Sequence, residues 1–201
     1  PASKIRRPMS EELKTGLLYV VRGGALLSLT VLAIATTALG LPLRAFLPIF
    51  AEDPTTLSWM MTSLGVGAVF GALVVAWLGS FSQMGTTLLA VLAAFGTLIS
   101  LFSMLPISPL SYVLLFLAGA ALLIVFSLTA SLVQLAVPDE LRGRVMSIYL
   151  MAFRGGMPLG SLVSGYFTTM VPTATVMAVN GGLLVCVAVY FLVRSHGVRD
   201  L

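Results

Sequence analysis

The sequence contains few charged residues, one cysteine and one histidine. Charged side chains make up 9% of the chain and hydrophobic residues 59%, whereas soluble domains carry roughly 25% charged residues. A chain of this composition cannot cover itself with a water-facing surface, so lipid must form part of its solvent. Cys186 has no second cysteine for an intrachain disulfide, and His196 lies in the C-terminal tail. A cysteine–histidine metal site is therefore excluded.

The sequence also lacks the residue sets that catalysis or nucleic-acid binding would need. No carboxylate pair and no histidine falls within the apolar segments, so an intramembrane enzyme is not expected. The basic residues are spread along the chain without interleaved aromatics, which argues against nucleic acid as a partner. The glycines between Gly65 and Gly71 resemble a dinucleotide fingerprint, but no strand precedes them and no βαβ unit follows. We therefore expect no cofactor and no metal.

Six apolar segments follow one another along the chain. A helix that spans a bilayer needs about 20 apolar residues, and short connections that contain proline separate the segments. Their predicted bounds are 25–50, 57–79, 86–105, 111–136, 145–170 and 174–193. The predicted fold class is therefore an all-α membrane protein with six transmembrane helices over 25–193.

The basic residues indicate the orientation of these segments. Nine of the 11 lysines and arginines precede the first segment, separate the fourth from the fifth, or follow the sixth. The loop after the first segment carries only Glu52 and Asp53. The positive-inside rule then places both termini in the cytoplasm. Residues 1–24 would end a cytoplasmic linker with an interfacial amphipathic helix that starts near Ser10, and residues 194–201 would form a cytoplasmic tail.

Two arginines fall inside apolar segments. Arg154 lies about 10 residues beyond Arg144, or about 15 Å along a helix, which is close to the middle of a hydrocarbon core roughly 30 Å thick. Charge at that depth usually faces a water-filled path, so Arg154 is expected to face a central cavity, where it binds an anionic group or gates a proton site. The alternative is that it snorkels, or caps neighbouring carbonyls and so braces a kink at Gly155 and Gly156. Arg44 either lines an outer vestibule or snorkels outward to meet the acidic residues of the following loop.

Three further polar side chains are candidates for the cavity. Gln134 lies near the cytoplasmic end of the fourth segment and Asn180 lies within the sixth. Each of them either lines the cavity or forms a hydrogen bond to a neighbouring helix. Tyr149 either reaches toward Arg142 or lines an inner gate.

Glycines recur at spacings that are typical of close helix packing. Small residues allow membrane helices to approach one another closely. The predicted packing positions are Gly65, Gly67 and Gly71 in the second segment and Gly156, Gly160 and Gly165 in the fifth.

The charged stretch before the fifth segment and the start of that segment carry the most specific motifs. They read Val-Pro-Asp-Glu-Leu-Arg-Gly-Arg over 137–144 and Phe-Arg-Gly-Gly-Met-Pro-Leu-Gly-Ser over 153–161. The chain resembles the major facilitator superfamily here, in its helix 10 to helix 11 region. It resembles most closely the branch of enterobactin-exporter-like permeases, sometimes called transmembrane secretion effectors. Further matches lie at 42–48 and 65–73, and the resemblance runs over about 11–193.

The resemblance implies a secondary transporter that exports a small amphipathic solute by alternating access, coupled to protons, in a bacterial inner membrane. The six segments would be helices 7 to 12 of a twelve-helix fold, arranged as two inverted three-helix repeats. The partners would be the lipid bilayer, the N-terminal six-helix half of the same transporter and the solute. Two alternatives stay open: a six-helix membrane partner or assembly protein that does not transport, and a half-size transporter that works as a homodimer.

The resemblance also implies a cytoplasmic gate. The residues expected to form its ion network are Asp139, Glu140, Arg142 and Arg144. The alternative is a solvated turn that anchors the orientation. The loop over 80–86 carries no charge, although the superfamily's signature loop usually holds an acid and basic residues at this place. The ion pair that this loop supplies to the gate is therefore expected to be absent or replaced by hydrogen bonds.

Overall fold

The fold is that of an all-helical bundle in a computed structural model that describes residues 23–79, 83–105 and 108–194. The described residues contain no strand and form six long helices, numbered in chain order. They are α1 (Gly24–Phe50), α2 (Pro54–Leu78), α3 (Met84–Met104), α4 (Pro109–Leu135), α5 (Asp139–Thr168) and α6 (Thr173–Val193). The predicted amphipathic helix near Ser10, most of the predicted tail and the start of the uncharged loop lie outside the described residues.

Five of these helices are long and apolar enough to cross a membrane, namely α1, α2, α3, α4 and α6. Helix α5 is the exception, although its 30 residues would extend about 45 Å at 1.5 Å per residue. It carries charged residues in its first two turns and Arg154 near its middle. The predicted membrane-spanning character is thus confirmed for five helices by length and composition, and a crossing by α5 stays a prediction.

Proline sets the start of two helices. Pro54 occupies the first turn of α2, where its missing N–H leaves no donor unpaired. The carboxylate of Asp53 caps the same helix by accepting hydrogen bonds from the backbone N–H of Thr55 at 2.7 Å and of Thr56 at 2.9 Å. Helix α4 begins in the same way at Pro109. Both helices therefore start earlier than their apolar runs predicted.

Helix α5 begins at Asp139, earlier than the predicted start at Val145. Pro138 precedes the helix, and Asp139 and Glu140 fall in its first turn, where carboxylates face the positive end of the helix dipole. The prediction of a turn at this place is wrong. The charged cluster forms the opening turns of α5.

Helix α1 changes its winding in the middle. An α-helical part, Gly24–Ala35, passes into a π-helical part, Thr36–Gly40, and α-helix resumes over Pro42–Phe50. The hydroxyl of Thr36 donates a hydrogen bond to the carbonyl of Leu32 at 2.7 Å. A π-helical turn widens a helix and is frequent at functional sites.

The helices pack in a regular pattern of pairs. Helix α2 lies along α4, α1 lies along α5, and α3 lies along α6. Helix α3 also contacts α4, and α1 also contacts α6. Apolar side chains fill these contacts, and Phe95 of α3, Leu115 of α4 and Met177 of α6 are fully buried.

Glycines bring the backbones of the paired helices together. A Cβ atom on Gly67 of α2 would overlap the backbone of Phe116 on α4. A Cβ atom on Gly160 of α5 would overlap the backbone of Ala38 on α1. A Cβ atom on Gly71 would likewise overlap the backbone of Ala120 on α4, and a Cβ atom on Gly156 would overlap the side chain of Thr37 on α1. Four of the six glycines that were predicted as packing positions therefore lie against a paired helix.

The other two predicted packing glycines make no such contact. No atom lies within 4 Å of a Cβ position on Gly65 or Gly165. The sequence analysis also missed the glycines of the third pair. Gly96 of α3 and Gly181 of α6 face each other, and the hydroxyl of Ser100 donates to the carbonyl of Ala178 at 3.0 Å across that contact.

The two kinds of glycine on α5 provide a matched test of this packing. Gly160→Val adds atoms where the backbone of Ala38 leaves no room, and overpacking costs about 1–3 kcal/mol. Gly165→Val makes the same change in helix propensity, but its added atoms meet no other atom of the described chain within 4 Å of the Cβ position. We expect a lower unfolding temperature in detergent for Gly160→Val alone. Equal losses in both variants would contradict the packing role of Gly160.

The cap of α2 makes the start of that helix sensitive to acid. Hydrogen bonds from the backbone and the hydroxyl of Thr56 hold the pKa of Asp53 below its ordinary value of 3.8. A carboxyl with a lowered folded-state pKa stabilises the fold above its unfolded pKa, and this stabilisation is lost as the pH falls through the folded pKa. We expect the amides of Thr55 and Thr56 to exchange hydrogen faster, relative to the intrinsic rate, once the pH drops below 3.8.

Asp53→Asn is the control for this acid effect. Asparagine caps helices about as well as aspartate, but its amide does not titrate in this range. Protection of the two amides should therefore remain and lose its dependence on pH. A variant that keeps the dependence would show that another group causes it.

Candidate functional site

Three adjoining depressions cross the surface formed by α1, α2, α4 and α5, and together we call them the arginine groove. The first has a volume of about 220 Å³ and is lined by Arg44 together with residues of α2 and α4. The second, of about 290 Å³, lies between α4 and α5 beside Phe153. The third is a shallow depression of about 500 Å³ around Arg154. The first and second depressions share Phe126 as a lining residue, and the second and third share Leu150, so neighbouring depressions adjoin.

Arg44 and Arg154 supply the charge of the groove. Both are exposed, and the side chain of neither forms an ion pair or a hydrogen bond with another residue of the described ranges. The predicted alternative that Arg44 meets the acidic loop is not observed, since the Asp53 carboxylate instead accepts from Thr55 and Thr56. A guanidinium group has a planar fork of donors that matches a carboxylate or a phosphate. The groove can therefore hold an anionic group.

The position of Arg154 follows from the packing of α5. Gly156, Gly160 and Ser164 form the buried stripe of α5, and the two glycines face α1. Arg154 is two residues from Gly156, which is about 200° around a helix with 3.6 residues per turn. The contact with α1 therefore turns Arg154 away from the bundle. The alternative in which Arg154 braces a kink is not supported. The Arg154 side chain forms no hydrogen bond in the described ranges, and α5 remains helical through Gly155 and Gly156.

Aromatic side chains lie between the two charged parts of the groove. The rings of Phe126 and Phe153 meet edge to face with their centroids 4.6 Å apart. The ring of Tyr149 lies 6.1 Å from that of Phe153, and Tyr149 is buried. Apolar and aromatic walls with a few polar groups are typical of small-molecule sites. The sequence analysis predicted Tyr149 but missed the two phenylalanines, because phenylalanine carries no distinguishing signal in an apolar segment.

Two predicted cavity residues lie away from the groove. Gln134 is exposed and forms no hydrogen bond with the part of the chain that the structure describes. Asn180 is buried, and its Nδ2 donates a hydrogen bond to Oγ of Ser164 on α5 at 2.9 Å. Asn180 lines a separate cavity of about 360 Å³ between α1, α5 and α6. The hydrogen bond to a neighbouring helix is therefore present at Asn180 and absent at Gln134.

The charged cluster at the start of α5 contains an ion pair within one helix. Arg142 lies 2.6 Å from Asp139, one turn away, and both side chains are exposed. Exposed pairs of this kind contribute little to stability. Glu140 is exposed and Arg144 is half-buried. Because the Asp139–Arg142 pair does not join two helices, its opening would not separate them, and the gating role of the cluster stays a prediction.

The five long apolar helices are typical of a protein embedded in a membrane. The chain matches the transmembrane secretion effector family over residues 5–199. It therefore belongs to this family of major facilitator superfamily transporters, and the resemblance carried by the motifs at 137–144 and 153–161 is confirmed.

A relative of known class agrees with this family. The multidrug efflux pump Tap of Mycolicibacterium fortuitum is 28% identical to the chain over 155 residues. The match covers 75% of this chain and 38% of that protein, so the chain spans less than half of the length of this relative. No solved structure matches the chain.

Proposed function

We propose that the chain forms a six-helix half of a transporter that exports small amphipathic solutes, and that the solute binds in the arginine groove. The observation that carries this proposal is the groove itself, with Arg44 and Arg154 exposed at two ends of an aromatic wall. The arginines would bind an anionic group of the solute, and Phe126 and Phe153 would contact its apolar body. The relative that acts as a multidrug efflux pump supports export of such molecules.

A second protein body must complete the site. A charged side chain that faces hydrocarbon is costly, and intramembrane charges almost always face protein or a water-filled cavity. Arg154 points away from its own bundle, so in this proposal it faces the other half across a central cavity. The relative's greater length supports the existence of such a half.

The packing pattern supports two inverted repeats, α1–α3 and α4–α6. If the repeats are equivalent, α1 corresponds to α4, α2 to α5 and α3 to α6, and every contact should have a counterpart after this exchange. The exchange turns the α2–α4 contact into the α5–α1 contact. The same exchange turns α3–α4 into α6–α1 and leaves α3–α6 unchanged, and all of these contacts occur. Such repeats have opposite orientations in the membrane. This arrangement requires α5 to span the bilayer and, with the basic residues placed inside, leaves both termini in the cytoplasm.

Alternating access would follow from rocking of the two halves about the groove. Opening of the cytoplasmic side would separate the start of α5, with Asp139 and Arg142, from the other half. The acidic residues of the described helices are Asp139 and Glu140, and both lie in the first turn of α5. If the export is coupled to protons, the group that carries the proton therefore lies in the other half.

Replacement of the groove arginines tests this function. Arg154→Ala and Arg44→Ala each remove a charged hydrogen-bond donor, and a charged hydrogen bond contributes about 1.5–3 kcal/mol. We expect efflux of a preloaded anionic fluorophore, 8-anilinonaphthalene-1-sulfonate, to slow by about 10- to 100-fold in each variant. Lysine at either position should retain part of the activity, because it keeps the charge but loses the planar fork.

Leu162→Ala is the matched control for Arg154→Ala. Leu162 is exposed on the same helix and does not line the groove, so its replacement should leave efflux unchanged. Immunoblots of the membranes must show equal amounts of all variants. Unchanged efflux in Arg154→Ala at an equal membrane level would exclude Arg154 from the solute site.

The mass of the native polypeptide in its source membrane separates the proposed half from its alternatives. A product of about 400 residues, as expected for two six-helix halves at about 20 residues per span plus loops, would support the proposal. A product of 201 residues would contradict it. The efflux assay would then separate the two alternatives. Active efflux would indicate a homodimeric transporter, and absent efflux would indicate a membrane partner that does not transport.

A further inference from the structure

The cavity between α1, α5 and α6 is separate from the arginine groove. Its volume of about 360 Å³ lies in the range of about 300–1,000 Å³ that is usual for small-molecule sites. Its walls are mostly apolar and include Leu159, Val163, Val179 and Leu183. No charged residue lines it. A molecule that enters this cavity must therefore be uncharged.

The polar side chains of the cavity wall are Ser164, Thr175 and Asn180, and Asn180 has unused hydrogen-bonding capacity. Asn180 is 6% exposed, and in the described part of the chain its side chain bonds only to Ser164, through Nδ2. No fully enclosed side-chain nitrogen or oxygen in the same ranges lacks a partner. The carboxamide oxygen of Asn180, which has no partner in these ranges, is therefore not fully enclosed, and Asn180 lines the cavity. An unpaired carbonyl oxygen in an apolar surrounding is costly. A ligand that donates a hydrogen bond to this oxygen removes that cost.

The π-helical part of α1 shapes the opposite wall. Ala38 and Leu39, both within Thr36–Gly40, line the cavity. Gly160 holds α5 against Ala38 at the same level. A π-helical turn within a membrane helix is rare and is frequent at functional sites. The irregular winding of α1 and the open amide of Asn180 thus meet at one cavity.

We propose that this cavity binds a neutral amphipathic molecule from the membrane, with a hydroxyl head that donates a hydrogen bond to Oδ1 of Asn180. The apolar body of the ligand lies against Val163, Val179 and Leu183. The groove and the cavity therefore select different chemistry, an anion in one and an uncharged alcohol in the other. The proposal does not rest on the transport function.

Photolabelling of the full-length protein in its native membrane tests the proposal. The probe is hexadecanol with a diazirine group in its chain, and the matched control is the same diazirine chain without the hydroxyl. We expect saturable crosslinks in 159–167 and 175–183 with the alcohol and weaker labelling with the hydrocarbon. Unlabelled hexadecanol should compete and hexadecane should not.

Variants of the protein test whether the hydroxyl of the alcohol probe binds to Asn180. A hydrogen bond of ordinary strength corresponds to a change in affinity of roughly 2- to 12-fold, so Asn180→Leu should raise the concentration for half-maximal labelling by about that factor. Leu183→Trp should abolish labelling by filling the cavity. Val189→Trp, on an exposed part of α6 outside the cavity, should leave it unchanged. Arg154→Ala should also retain labelling, which separates this site from the groove.

Three results would overturn the proposal. The alcohol and the hydrocarbon could label equally in the unaltered protein, or Leu183→Trp could label as strongly as Val189→Trp. Labelling could also be absent because another part of the native protein covers the cavity. If Asn180→Leu fails to accumulate in the membrane, the comparison of the two tryptophan variants decides alone.

Discussion

Close contact between helix backbones is the constraint on which the rest of this structure depends. Lipid surrounds apolar side chains as well as a neighbouring helix does, so hydrophobic burial gives little preference for one helix pair over another. Glycines on α2, α3, α5 and α6 remove the side chains that would separate the backbones, and carbonyl and Cα atoms of the paired helix occupy the space. The pairs α2–α4, α1–α5 and α3–α6 are the result.

This packing determines which polar groups face inward and which face outward. On α5 the stripe of Gly156, Gly160 and Ser164 is committed to the bundle, so the polar side chains on the opposite side cannot find partners there. Arg154 is therefore exposed, whereas Ser164 receives the hydrogen bond of Asn180. One side of α5 therefore packs against the bundle, and the other side, which carries Arg154, is exposed. The stripe of Gly156, Gly160 and Ser164 determines which side is which.

The sequence alone predicts helix content well and helix partners poorly. Hydropathy finds the apolar helices because each has about the length of the hydrocarbon core, and it misses the early start of α5 because capping and charge, not hydropathy, begin that helix. Spacing cannot tell which side of a helix meets another, so it does not separate Gly65 and Gly165 from the glycines that touch a paired helix. Asn180 and Arg154 are both polar residues in apolar runs, and only the arrangement of α1, α5 and α6 separates them into two cavities.

The contrast between the two cavities follows from how each polar group meets its electrostatic requirement. A guanidinium remains charged at every physiological pH, so Arg44 and Arg154 need water or an anion, and both are exposed. A carboxamide needs only hydrogen bonds, so Asn180 can remain inside an apolar wall with a hydroxyl of Ser164 on one side. A charged group therefore sets the chemistry of the groove, and a neutral polar group sets the chemistry of the cavity, within the same set of packed helices.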